Sequence, residues 1–157
     1  MVDTDGRPWA TLFGSNMIAT VDPNTMILRQ IETPNTDSRI RRIVVTSDGA
    51  VWYVDYQQGA LGRYDPTTGD VSEWPAPSAA GSRPYGMAVD DRDRVWFVET
   101  GPSPNLFVGF DTVSETFVAQ SAIPSGGGSV RHMVYHQATQ SVWFGTDSNM
   151  LGRASLP

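Results

Sequence analysis

Three residues of different chemistry share one spacing. Arg41, Tyr85 and His132 each stand eleven residues ahead of a tryptophan: Trp52, Trp96 and Trp143. A cation, a phenol and an imidazole at equivalent positions suit an anionic or carbonyl-bearing ligand. His132 is the member that can move a proton, because an unperturbed imidazole titrates near ~6.5 and works as a general base at neutral pH. His136, in VYHQATQ, falls near a turn and is assigned no role. Asp55 and Glu99 each follow their Trp by three residues. An acid recurring at that register suits hydrogen bonding at a strand end better than metal ligation. SGGGS over 125–129 has neither a following helix nor the Lys-Ser/Thr of a phosphate loop, so it binds no phosphate in that manner.

The elements that must position these residues follow from a repeat. Trp9, Trp52, Trp96 and Trp143 recur every 43 to 47 residues. Around each lies a strand-like run, as in VWYVDY (51–56) and VWFVET (95–100), rich in β-branched and aromatic residues. A second run follows, a third after that, and a fourth precedes the Trp. A period of ~40–45 residues with four short strands is the pattern of β-propeller blades. Asp5-Gly6 and Asp48-Gly49 read as tight hairpins between the two inner strands. Asp22-Pro23 and Asp65-Pro66 open type I turns between the two outer ones. No sustained 3.6-residue period occurs, so helix is expected to be negligible. The expectation is an all-β chain, 1–157, forming one partial propeller domain with blades near 1–38, 39–83, 84–129 and 130–157. Their strands number three, four, four and three, with inner strands at 40–46, 85–91 and 131–137. GPSPN (101–105) lengthens one turn, and SGGGS is a flexible connection into the last blade.

Composition excludes several classes. A net charge of -6 without a basic stripe argues against nucleic acid. With no cysteine there is no disulfide and no thiolate chemistry. No apolar run reaches the ~18 residues of a membrane span. MVDTDGRPW is not a signal peptide, which makes the cytoplasm the default compartment. The first copy lacks its inner strand, so the chain reads as the C-terminal half of a longer propeller, with self-association through its open edges expected.

The units RRIVVTSDGAVWYVD (41–55) and LGRYDPTTGDVSEWP (61–75) resemble blades of the virginiamycin B lyase (streptogramin B lyase) family, and the resemblance runs along the whole chain. It implies a seven-bladed propeller and a carbon–oxygen lyase that opens the ester of a cyclic depsipeptide by elimination, assisted by Mg²⁺. The partner implied is a small-molecule or cyclic peptide substrate. His132 stands where the family has its catalytic histidine. Asp147, four residues after Trp143, stands where the family has an assisting glutamate. Tyr85 replaces a second histidine, and Val130 replaces an acid. On this reading His132 is the base and Asp147 its helper, while Arg41, Tyr85 and Arg131 wall the pocket. A propeller lactonase holding Ca²⁺ and a non-catalytic binding propeller are the alternatives.

Overall fold

A computed structural model describes residues 1–157 as fourteen strands in four antiparallel sheets. The first holds β1 (Trp9–Leu12), β2 (Met17–Val21) and β3 (Leu28–Glu32). The second holds β4 (Ile40–Val45), β5 (Val51–Asp55), β6 (Ala60–Tyr64) and β7 (Val71–Pro75). The third holds β8 (Pro84–Val89), β9 (Val95–Glu99), β10 (Leu106–Asp111) and β11 (Thr116–Ala122). The fourth holds β12 (Met133–His136), β13 (Ser141–Gly145) and β14 (Leu151–Ser155). Within each sheet the strands lie in chain order, the meander of a propeller blade. The counts of three, four, four and three match the repeat. Helix is limited to two single 3₁₀ turns, Ala79–Gly81 and Gln137–Thr139. One inner strand is shorter than its sequence suggests: β12 begins at Met133, so Arg131 and His132 precede it rather than opening it.

Period-2 alternation explains how the sheets stack. In β5, Trp52 and Val54 face the third sheet, and join Met87, Val95, Phe97 and Phe110 in one core. Val51 and Tyr53 face the first sheet, beside Trp9 and Ile18. β9 repeats the arrangement, with Trp96 and Val98 packing on Val142 and Phe144 of the fourth sheet. Both strands are therefore buried along their whole length, which is why they read as near-continuous apolar runs. Each tryptophan covers its blade's forward face. Trp9, Trp52 and Trp96 are buried by the blade that follows, whereas the forward face of the fourth sheet leaves Val134 62% and Leu151 73% exposed.

A polar residue six positions upstream anchors three of the four repeat tryptophans, Trp9, Trp52 and Trp96. Asp3 Oδ2 accepts from the Trp9 indole N–H at 2.8 Å and from Arg7 Nε at 2.9 Å, while its Oδ1 accepts from the Asp5 and Arg7 backbone N–H groups. Asp90 makes the same set with Trp96, Arg94 and Arg92. In the second blade Thr46 accepts from Trp52 at 3.2 Å. The outer turns close on Asp22, Asp65 and Asp111, each of which accepts two backbone N–H groups from the residues just beyond it.

Candidate functional site

The inner strands of the second and third blades both begin with a register slip. Pairing shifts between Ile40 and Arg42, opposite Asp55 and Val54, and again between Pro84 and Met87, opposite Glu99 and Phe97. A bulge at a strand's start frees one residue from the ladder and re-aims its neighbours. Here the residues affected are Arg41 and Tyr85. The third member is delivered by a close approach. The Gly86 N–H donates to the Val130 carbonyl at 2.8 Å, and a Cβ at Gly86 would lie 2.8 Å from that oxygen and 3.0 Å from Met133 Sδ. Only glycine lets the segment ahead of β12 come so near.

The two irregular stretches hold that segment together. Asn105, buried at the end of GPSPN, donates its side-chain amide to the Gly128 carbonyl and its backbone N–H to the Gly126 carbonyl at 3.0 Å. Its own carbonyl accepts from Ile123 at 2.8 Å. A Cβ at Gly127 would sit 2.8 Å from the Asn105 amide nitrogen. SGGGS is thus a tied loop wrapped on Asn105 rather than a free connection, and it delivers Ser129, Arg131 and His132 to the mouth.

At that mouth Arg41 is boxed by aromatic rings. Its guanidinium carbon lies 3.8 Å from the Phe13 ring centroid and 4.8 Å from those of Tyr56 and Tyr85. Its Nε is buried without a hydrogen-bond partner. Arg42, not Arg41, meets the histidine. Its Nε donates to the Arg131 carbonyl at 2.8 Å and its Nη2 lies 3.0 Å from His132 Nε2, bridging the second and fourth blades over Tyr85. An arginine only donates, so Nε2 accepts and the neutral ring carries its proton on Nδ1. Asp147 lies 3.5 Å from Arg131 Nη2, with both side chains more than half exposed. His136 bonds Thr139 at 2.9 Å on the surface. One cleft of about 350 Å³ is lined by Trp9, Thr11, Arg41, Arg42, Ile43 and His132 among others. A second, about 240 Å³, is lined by Arg41, Tyr56, Tyr85, Thr100, Ser129 and Arg131. Arg41 belongs to both.

The structure brings Arg41, Tyr85, Arg131 and His132 to one mouth, with Asp147 at its rim. Sequence reasoning missed Phe13, Tyr56 and Thr100, although a signal existed. Each stands four residues after its Trp, the register that singled out Asp147. Arg42 had no signal, because nothing in the adjacent pair Arg41-Arg42 reveals where the bulge falls. A further cleft of about 300 Å³, between Trp9, Arg29 and Tyr64, opens at the opposite end of the strands and contains no histidine.

The recurrent acids hold backbone. Asp55 Oδ1 accepts from the N–H groups of Arg39, Gln57 and Gln58 at 2.9–3.1 Å, and Glu99 accepts from the Ser78 N–H and hydroxyl at 2.9 and 2.7 Å. No three His, Asp or Glu side chains cluster to hold a metal ion. Asp147, the carboxylate of the proposed pair, faces the Arg131 guanidinium, and the contact of His132 is the Arg42 guanidinium. These residues do not fit a Mg²⁺ site.

The model of the Virginiamycin B lyase family matches residues 1–156. None of the curated proteins compared is similar in sequence. Among solved structures, virginiamycin B lyase from Staphylococcus aureus is 23% identical with a TM-score of 0.77, over 99% of this chain and 54% of that one. A catalytically inactive histidine-to-alanine variant of that enzyme with quinupristin is 20% identical with a TM-score of 0.78, over 100% and 54%. A putative 6-phosphogluconolactonase from Bacteroides uniformis is 13% identical with a TM-score of 0.78, over 100% and 49%. The chain thus spans about half the length of the propellers it resembles.

Proposed function

Since the chain belongs to the virginiamycin B lyase family, we propose that it carries the catalytic base of a carbon–oxygen lyase acting on the ester of a cyclic depsipeptide of the streptogramin B class. The observation that carries this reading is His132, presented at the mouth with its Nε2 held by Arg42 at 3.0 Å. The inactive histidine variant of the Staphylococcus aureus enzyme supports a histidine in that role. In the reaction, Nε2 leaves Arg42 and takes the proton from a carbon next to a carbonyl. The electron pair forms a carbon–carbon double bond, the adjacent carbon–oxygen bond breaks, and the ester oxygen departs as a carboxylate. The ring opens without taking up water. Arg42, once released, is placed to donate to the carbonyl that acidifies the proton. Asp147 acts as a positioning residue through Arg131, whose carbonyl Arg42 also holds. General-base catalysis contributes ~10²–10⁴-fold, so donors aimed at the developing charge supply much of the remainder.

The likeness to a putative 6-phosphogluconolactonase supports a second reading, hydrolysis of an ester. Mass spectrometry of a streptogramin B incubated with the protein separates the two. Elimination yields a linear product of the substrate's own mass. A product heavier by one water would establish hydrolysis, and an unchanged cyclic substrate would return the mouth to a binding role.

A further inference from the structure

Arg41 is in an unusual state for a guanidinium. It is half-buried among three aromatic rings, has no ion pair and no side-chain hydrogen bond, and keeps a buried Nε unpartnered. Burying a charge costs free energy unless it is paired and hydrogen-bonded. Stacking on aromatic faces offsets part of that cost but leaves the in-plane donors unused, since the rings cover the faces and not the edge. The cleft of about 240 Å³ that Arg41 lines contains no carboxylate, and its other walls carry donors: the hydroxyl-bearing Tyr56, Tyr85 and Ser129 and the guanidinium-bearing Arg131, beside Thr100, whose hydroxyl is donated to the Arg83 carbonyl. Arg131's ion pair with Asp147 is long, at 3.5 Å, and exposed, so it is easily exchanged. The chain has six fewer positive than negative charges, yet this mouth gathers two guanidinium groups facing one cavity.

We infer that the cleft between Arg41 and Arg131 is a carboxylate-binding site. The planar fork of a guanidinium pairs with a carboxylate through two parallel hydrogen bonds, and the hydroxyls of Tyr56, Tyr85 and Ser129 can serve the remaining lone pairs, that of Thr100 being donated to the Arg83 carbonyl at 2.6 Å. Arg41 also lines the cleft that holds His132. The bound group is then the carboxylate that elimination releases. That last identification rests on the proposed reaction, whereas the carboxylate site itself does not. It also gives this chain a cationic receiver for the leaving charge where it has no cage for a metal.

Saturation-transfer NMR with benzoate, using benzamide as the uncharged match, reads binding without turnover. Benzoate should bind and benzamide should not, and Arg41→Gln should weaken benzoate at least tenfold while circular dichroism stays unchanged. Arg153→Gln, which alters an arginine stacked on Trp143, should leave binding intact. A Tyr85→Phe variant, missing one hydroxyl, should weaken benzoate less than Arg41→Gln and serves if the latter misfolds. Equal binding of benzoate and benzamide, no binding of either, or full binding by Arg41→Gln would overturn the site. Tighter binding of inorganic phosphate than of benzoate would overturn its assignment to carboxylates. A failed elimination assay alongside intact benzoate binding would count against the reaction and leave the site standing.

Discussion

The Nε2 atom of His132 is engaged by a neighbour. Arg42 occupies it, so under the proposed mechanism the base is masked at rest and is exposed only when the guanidinium finds another acceptor. The sequence shows His132 by register but not this mask, because a contact across 90 residues leaves no local trace. Other polar residues act on stability. Burial pulls the Asp3 carboxyl upward, and hydrogen bonds from the Trp9 indole and from Arg7 outweigh it, holding the group below its ordinary value. At Asp48 burial is again outweighed, by the Thr46 hydroxyl and the Ala50 N–H. A carboxylate depressed in the folded state stabilises at pH values above its unfolded pKa of ~3.9, and that stabilisation is lost as pH falls through the folded value. The denaturant midpoint should therefore hold above about pH 5 and fall steadily below pH 4. Asp3→Asn should cost roughly 1–3 kcal/mol at pH 7 and flatten that acid slope, because it weakens acceptors that serve buried donors. An unaltered slope in the variant would show that Asp3 does not carry it.

Each element of the mouth is placed by a local irregularity in an otherwise regular repeat. The regular part was legible in the sequence: the β-branched and aromatic runs over 51–55 and 95–99 read as strands, and the Asp-Pro dipeptides as the outer turns. The irregular part was only half legible. GPSPN and SGGGS stand out as interruptions, but their mutual packing through Asn105 is a tertiary fact. The bulges at Arg41 and Tyr85 leave no compositional mark either, because any residue can occupy an extra strand position. Gly86 permits the approach of the segment bearing His132. Gly86→Val should push Val130 and Met133 outward, because its Cβ would meet a carbonyl oxygen at 2.8 Å. The expected result is a folded protein, destabilised by about 1–3 kcal/mol as overpacking generally is, with lost turnover and faster amide exchange over 129–133. Unchanged exchange in that segment would remove Gly86 from the positioning of His132.

At the scale of the molecule, four blades stack through three buried interfaces, and the residues that define the mouth recur at two offsets from the tryptophans. Arg41, Tyr85 and His132 stand eleven before; Phe13, Tyr56, Thr100 and Asp147 stand four after. A propeller converts such equivalence in sequence into nearness around one axis, which is how residues far apart in the chain meet. The chain spans about half the length of the lyases it resembles, and on the proposed reading its share of a site is the base and its arginine surroundings. The central claim is that His132 is that base, and comparing the two histidines tests it most directly. Both lie in the last blade, and neither touches the core deeply. Turnover of a streptogramin B should fall at least ~10²-fold in His132→Ala and stay within a few-fold in His136→Ala, with similar melting temperatures for both. Equal losses, no loss at His132, or no turnover by the unaltered protein would contradict the claim.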